Sequence, residues 1–172
     1  MNPAKECPSR KKGMCKVADI CYAQKAERQY PAVLPYRMRQ AEAWNTSKAE
    51  DIIGSVVEAA EHCREPKIKY LRVNESGDFR NQWDVNRLSK VADALKCYNI
   101  RLYCYTARED LNFTKVSDNM VVCGSSFMAD NEFTAVPKDY ELQSGELICP
   151  GNCRECHACK NKNSVKVVCK YH

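Results

Sequence analysis

Four cysteines lie within eleven residues near the end of the chain: Cys149, Cys153, Cys156 and Cys159, here called the tail cysteines. Their gaps are three, two and two residues, in a sequence of 172 residues that contains twelve cysteines. Thiolates at such spacings are typical ligands of iron–sulfur clusters. A single zinc ion more often takes two Cys-x2-Cys pairs from separate turns. The spacing favours a [4Fe–4S] cluster, with zinc as the open alternative.

A second group, here called the entry cysteines, comprises Cys7, Cys15 and Cys21. These residues are separated by seven and five residues in a loop-like segment with Pro3, Pro8 and Gly13. A loop of this length can still bring three sulfurs to one cluster. One three-thiolate group and one four-thiolate group therefore predict two [4Fe–4S] clusters.

Five further cysteines lie outside these groups. Cys63 and Cys97 fall on predicted helices, and Cys104 and Cys123 fall within predicted strands. A free cysteine in such a place behaves as a small buried apolar residue, so we expect these four to fill the core. Cys169 either fills the core in the same way or supplies the fourth ligand of a cluster on the entry cysteines.

The beginning of the sequence is polar, and no stretch approaches the roughly 20 apolar residues that span a bilayer. Without an apolar signal segment we expect a cytoplasmic protein with no membrane partner. Disulfides are rare in that compartment, so the cysteines should be reduced or bound to metal.

The formal net charge is +5, and two basic stretches flank the cysteine segments. These stretches are Arg10–Lys12 and Lys160–Lys162. Positive charge here either screens the negative clusters or forms a nucleic-acid-binding surface. Both interpretations stay open, and neither identifies an electron donor.

The length suits a single domain with a core of its own. Its predicted zones are a cysteine-bearing entry loop and helix (1–30), a helical section (31–66), a βα core (67–145) and a cysteine-rich tail (146–172). Helices are predicted over 17–30 and 36–44. A third helix should begin at a capping box of Ser47 and Glu50 and end before Pro66. The predicted strands 67–74, 100–106 and 120–125 alternate with predicted helices 82–96 and 110–116.

This alternation predicts an α/β fold with a parallel sheet. In such sheets functional sites lie at the carboxyl ends of the strands. The turn after the first predicted strand, residues 74–79, reads Asn-Glu-Ser-Gly-Asp-Phe. In an ordinary turn of this kind Gly77 would supply an unusual dihedral angle and Asp78 would cap a helix.

Several motifs occur together in one order along the chain. They are Cys7-Pro8 with Cys15 and Cys21-Tyr22-Ala23, the turn Arg72–Phe79, the strand Tyr103–Thr106, and the tail cysteines with a closing His172. This set resembles the phage "gene product eighty-eight"-like family, which is itself similar to radical S-adenosylmethionine (SAM) iron–sulfur proteins. The resemblance spans nearly the whole chain.

The resemblance implies an oxygen-sensitive [4Fe–4S] redox protein on a truncated, barrel-like (βα) scaffold, commonly encoded by phages or mobile elements and then located in the host cytoplasm. If SAM binds, it does so at the entry cluster, whose fourth iron would take the amino and carboxylate groups of the cofactor. Ser76 and Gly77 are then the candidates for holding the SAM amino group, with Asp78 or Glu75 as polar support. Tyr22 would pack against the cluster or cover the adenine, unless it is a core aromatic.

Two features depart from the radical-SAM pattern. The usual Cys-x3-Cys-x2-Cys is missing at the entry and occurs instead at Cys149, where Cys159 adds a fourth thiolate that closes the cluster to SAM. The tail cluster should therefore transfer electrons or stabilise the fold, and His157 is a candidate ligand or hydrogen-bond donor there. The alternative function is a non-catalytic nucleic-acid-binding or adaptor module with structural clusters or zinc.

Overall fold

The computed structural model describes residues 2–64 and 67–171 and is built on a six-stranded, all-parallel sheet. Its strand order is β1-β2-β3-β4-β6-β5. The strands are β1 (Tyr70–Val73), β2 (Arg101–Thr106), β3 (Met120–Ser125), β4 (Asn131–Val136), β5 (Glu146–Ile148) and β6 (Lys166–Lys170). The predicted α/β fold with a parallel sheet is confirmed. The last three strands were not predicted.

Five α-helices occur in the described ranges: α1 (Pro8–Lys11), α2 (Tyr22–Gln29), α3 (Val33–Thr46), α4 (Ala49–His62) and α5 (Gln82–Leu95). None of the helices in the described part of the chain is both long enough and apolar enough to cross a membrane. Helices α4 and α5 cover one face of the sheet, here called the helix face, where Leu102, Met120 and Val122 meet Leu88 of α5.

The opposite face, here called the tail face, carries Tyr70, Tyr103, Tyr105, Val121 and Cys123. Side chains alternate between the two faces along each strand, so residues two apart share a face. Strands β2 and β3 are buried on both faces, which explains their continuous runs of apolar residues.

The topology explains why the tail lies opposite the helices. Strand β2 adds to one side of β1 and its crossover contains α5, whereas the connection from β5 to β6 runs back in the opposite direction. Crossovers between parallel strands keep one hand, so this reversal puts residues 149–165 on the other face. These residues carry all four tail cysteines and are without an α-helix.

Three local predictions were wrong. Residues 110–116 are not helical, because the Asn112 side chain accepts a hydrogen bond from the Thr114 N–H (2.9 Å) and favours a turn. The helix predicted from residue 17 begins at Tyr22. The capping contact of α4 is one residue later than predicted: the Lys48 N–H donates to Asp51 (2.8 Å).

Candidate metal centres

The entry segment lies across the carboxyl ends of three neighbouring strands. Lys12 forms an ion pair with Asp110 (3.1 Å) beyond β2, and the Lys16 Nζ donates to the Ser126 carbonyl (3.4 Å) beyond β3. Beyond β1, the Asn2 side-chain amide donates to the Asp78 carbonyl (3.0 Å). The entry cysteines therefore lie at the edge of the sheet where α/β proteins build their sites.

The three entry cysteines are close enough to interact electrostatically, and each is half-buried. Burial, and then the charges of Cys7, Cys21 and Asp78, raise the pKa of the Cys15 thiol, opposed by a backbone hydrogen bond at Val17. The Cys7 Sγ lies 3.1 Å from the Ser9 Oγ. The structure thus brings these three predicted ligands into one neighbourhood.

Asp78 is an anchor beneath this neighbourhood. It is 3% exposed, and its carboxylate accepts hydrogen bonds from the Thr106 hydroxyl (2.6 Å) and from the N–H groups of Ala107 (2.8 Å) and Phe79 (2.8 Å). Burial raises the pKa of this carboxyl despite those bonds. Asp78 does not cap α5, since the Asn81 side chain accepts the capping bond from the Asp84 N–H (3.2 Å). It instead joins the ends of β1 and β2 to the entry segment.

The N-terminal segment covers Ser76 and Gly77. The Ser76 hydroxyl donates to the Asn2 carbonyl (3.0 Å), and the Asn2 side-chain amide donates to the Asp78 carbonyl (3.0 Å). Gly77 has a φ of +67°, and a Cβ built on it would be 2.2 Å from the Asn2 carbonyl oxygen. A ligand at this surface of the turn would have to displace Asn2.

Tyr22 is 55% exposed and is therefore not a core aromatic. Its hydroxyl donates to the Glu75 carbonyl and accepts from the Arg72 guanidinium (3.3 Å). The same guanidinium lies 4.8 Å from the centre of the Tyr105 ring on the tail face. Arg72 thus contacts the residue next to Cys21 on one side and the tail face on the other.

Sequence reasoning missed a buried ion-pair network that anchors the entry segment. Arg37 is 7% exposed, and its guanidinium donates to Glu27 (3.1 Å) and Glu75 (2.9 Å). Glu27 also accepts hydrogen bonds from the N–H groups of Ala4 (2.6 Å) and Lys5 (3.0 Å). The charges are scattered along α2, α3 and the turn after β1, so no local pattern in the sequence indicates the network.

The four tail cysteines line one cavity of about 30 Å³ on the tail face. Cys153 is exposed, and Cys149, Cys156 and Cys159 are half-buried. The other walls include Tyr103, Tyr105 and Val167 of the sheet. The structure therefore brings all four predicted tail ligands to one place, against strands β2 and β6.

Lys160 and His157, which lie beside the tail cysteines, both pack against Tyr70. Lys160 is 7% exposed, its Nζ donates to the Cys153 carbonyl, and it lies 4.7 Å from the centre of the Tyr70 ring. The His157 ring packs on the same tyrosine, with centroids 5.4 Å apart. The positive charge of Lys160 is thus directed at the tail loop and is not part of an open basic surface.

Two cysteines from the strands adjoin the tail cysteines. The Cys123 thiol of β3 donates to the Cys159 carbonyl (3.5 Å). The Cys169 thiol of β6 donates to the Lys170 carbonyl (4.0 Å) and is close enough to Cys149 to interact with it electrostatically. The interpretation of Cys169 as an entry ligand does not fit this position. Cys104 is buried as expected, whereas Cys97 is exposed and Cys63 is half-buried.

Across residues 2–64 and 67–171, no three histidine, cysteine, aspartate or glutamate side chains are arranged to hold a single metal ion. The thiolates of a [4Fe–4S] cluster bind different irons, so the sulfurs surround a volume and do not meet at one point. The tail cysteines line a shared cavity, but at about 30 Å³ it has the volume of about one water molecule, so the tail loop would have to move outward to take up a cluster. His172 lies outside the described residues.

The family assignment rests on a match that covers most of the chain. A model of the family described as gene product 88 matches residues 1–140. The chain belongs to the gene product 88 family. Membership supports the predicted phage origin, and the match contains the entry cysteines and the turn 74–79. It ends before the tail cysteines, so the resemblance predicted from the motifs extended beyond the matched range. No curated protein and no solved structure matches the chain.

Proposed function

We propose that this gene product 88 protein is a [4Fe–4S] redox protein of radical-SAM-like type with two clusters. The observation that carries the proposal is the presence of two separate thiol groups, each gathered around its own neighbourhood. Three thiols lie at the carboxyl edge of the sheet, and four line one cavity on the tail face. Bound clusters would supply one-electron chemistry at both places.

The entry group suits a cluster with three protein ligands. Its segment is held by polar contacts: the Asn2 amide donates to the Asp78 carbonyl, and the N–H groups of Ala4 and Lys5 donate to Glu27. Such contacts fix the positions of thiol ligands before metal arrives. A fourth position would then be open to SAM or another small ligand, beside Tyr22 and the turn 74–79.

The tail group suits a cluster with four protein ligands that stabilises the fold. Parallel strands are usually joined by a helix, which satisfies its own backbone hydrogen bonds and packs on the sheet. Residues 149–165 join β5 to β6 without an α-helix. Metal–thiolate bonds would order this connection in the place of a helix, so metal binding and folding would be coupled here.

A non-catalytic module with structural clusters is the second candidate, and the position of Asn2 favours it. The backbone of Asn2 covers Gly77 and accepts the Ser76 hydrogen bond, at the surface proposed for the SAM amino group. A protein that never binds SAM has no need to keep this surface open. Salt-dependent binding of DNA or RNA would be the expected activity of such a module.

Anaerobic purification with iron and sulfide analysis tests the proposal. Two clusters predict about eight irons and about eight sulfides per chain, and one cluster predicts about four. Zinc without sulfide would overturn the proposal. Addition of SAM to the reduced protein should change the electron paramagnetic resonance (EPR) spectrum. Salt-dependent nucleic-acid binding with no SAM effect would favour the module.

Variants can show which cluster contains the iron that has no fourth protein ligand. A three-thiolate cluster loses that iron on mild oxidation, which should give a [3Fe–4S] EPR signal from the entry site. Cys7→Ala should abolish this signal and leave the tail cluster intact. Cys97→Ala, at an exposed cysteine after α5, is the matched control and should change neither. Retention of the signal in Cys7→Ala would refute the assignment.

A further inference from the structure

Two cysteines lie opposite each other where strands β5 and β6 run side by side. The two strands are parallel, and residues 146–148 pair in order with residues 166–168. The Cys149 N–H still donates to the Val168 carbonyl (2.7 Å), so the backbone pairing continues as far as Cys149. Extended by one residue, the same register places Cys149 opposite Cys169.

The two side chains share the tail face. Val167 and Cys149 both line the tail cavity, and Cys169 lies on the same side as Val167 because alternate residues of a strand share a face. Neighbouring strands lie about 4.8 Å apart. A disulfide joins residues whose Cα atoms are about 4.4–6.8 Å apart, so Cys149 and Cys169 are placed for one with little movement of the backbone.

This arrangement distinguishes the pair from the other cysteines of the sheet. In the registers of the remaining strand pairs of the described residues, no cysteine lies opposite another. Cys149 and Cys169 are also half-buried, whereas Cys104 and Cys123 are buried. Strand β5 is at the edge of the sheet, so no further strand covers the outer side of Cys149. Both thiols are therefore open to small reagents.

We propose that Cys149 and Cys169 are a redox modification site, at which a small disulfide such as oxidised glutathione joins them in a reversible disulfide and withdraws Cys149 from metal binding. The thiolate form of cysteine is the metal ligand, so a sulfur held in a disulfide is lost to the tail group. The disulfide itself needs no metal. The loss of a ligand rests on the proposed function.

The exchange takes place in two steps. Cys169 is not one of the four tail ligands, so its thiolate attacks one sulfur of oxidised glutathione, forms a mixed disulfide and releases one glutathione. The Cys149 thiolate then attacks the Cys169 sulfur and releases the second glutathione. The two cysteines lose two electrons and two protons, which the two glutathione molecules take up. An excess of thiol reverses both steps.

The test exposes the anaerobically purified full chain to oxidised glutathione. Free thiols are then blocked with N-ethylmaleimide, and digestion with fragment mass spectrometry identifies the joined cysteines. The main product should join Cys149 to Cys169, and dithiothreitol should reverse it. Cys169→Ser should remove this product, whereas Cys97→Ser, at an exposed cysteine outside the sheet, is the matched control and should keep it.

Iron analysis of the same samples measures the effect on the tail group. Oxidised glutathione should release about four irons per chain from the unmodified protein and from Cys97→Ser, and Cys169→Ser should retain them. Equal losses of iron from Cys169→Ser and the unmodified protein would overturn the withdrawal of Cys149.

A main product in which either cysteine is joined to another partner, glutathione included, would also overturn the proposal, as would the absence of a disulfide. This result comes from the unmodified chain and holds even if Cys169→Ser does not fold. Absence of sulfide from the unmodified protein would instead refute the proposed function, and the joined cysteines would still be identified in that case.

Discussion

Replacing Gly77 by alanine should destabilise the protein through two separate effects. The first is backbone strain, because Gly77 has a φ of +67°, a conformation that costs an L-residue about 1–2 kcal/mol. The second is a clash, because the new Cβ would lie 2.2 Å from the Asn2 carbonyl oxygen. Backbone atoms cannot yield as a flexible side chain does, so the N-terminal segment must move away.

Displacement of Asn2 breaks two hydrogen bonds, one from the Ser76 hydroxyl and one to the Asp78 carbonyl. At about 1 kcal/mol for each bond, the total loss in the free energy of unfolding is about 3–4 kcal/mol. Gly145→Ala is the matched control. Gly145 has a φ of +84° but no atom within 4 Å of a built Cβ, so it should lose only the strain term of about 1–2 kcal/mol.

Urea unfolding under anaerobic conditions measures both variants. Hydrogen exchange of residues 2–6 then locates the damage, since these residues should lose protection in Gly77→Ala and keep it in Gly145→Ala. Equal losses of stability for the two variants, with residues 2–6 still protected, would refute the contact between Asn2 and the turn.

Three further predictions concern a buried ion pair, a carboxylate and the tail cysteines. Arg37→Met should lower the free energy of unfolding by about 3–5 kcal/mol, because it removes the ion-pair partner of the buried Glu27 carboxylate. Adding Glu27→Gln should recover part of this loss. If it recovers nothing, the loss does not come from the buried carboxylate. Burial opposes ionisation of Asp84, but hydrogen bonds from Arg80 lower its pKa to about 2, so Asp84→Asn should cost about 2–3 kcal/mol at pH 7. The difference should shrink as the pH falls from about 4 toward 2, which urea unfolding at several pH values would check. Cys156→Ala should lose tail iron and cooperative unfolding, and an unchanged iron content with a sharp transition would show that the tail ligands are dispensable.

Much of the sheet was predictable because local sequence determines it. The apolar runs of β2 and β3 follow directly from burial on both faces, and α5 has a regular apolar stripe. Strand β6 has a similar apolar run in its sequence Lys-Val-Val-Cys-Lys. It was not predicted because it follows the tail cysteines and was assigned to the cysteine-rich tail. The false helix at 110–116 arose because helical spacing gives no weight to a side-chain turn such as that of Asn112.

The site was predictable only in part. The position of the turn 74–79 at the carboxyl edge follows from the parallel sheet, and the grouping of the cysteines follows from their spacing. The contacts of Asn2 with Ser76 and of Arg37 with Glu75 join residues 74 and 38 positions apart. The pairing of Cys123 with Cys159 likewise depends on which face the tail covers. Such contacts depend on the assembled topology, and no local pattern encodes them.

The strand order also sets the sequence of events during synthesis. Strand β5 pairs with β6, and β4 has β6 on its outer side, so both wait for residues 166–170 to leave the ribosome. Until then the edge of β4 presents unpaired N–H and C=O groups, which are a template for pairing with another chain. A chain truncated before β6 should therefore aggregate through β4. The tail cysteines lie in the segment 146–172, which also contains β5 and β6. When this segment docks beside β4, it covers the unpaired edge of β4 and ends the aggregation-prone period.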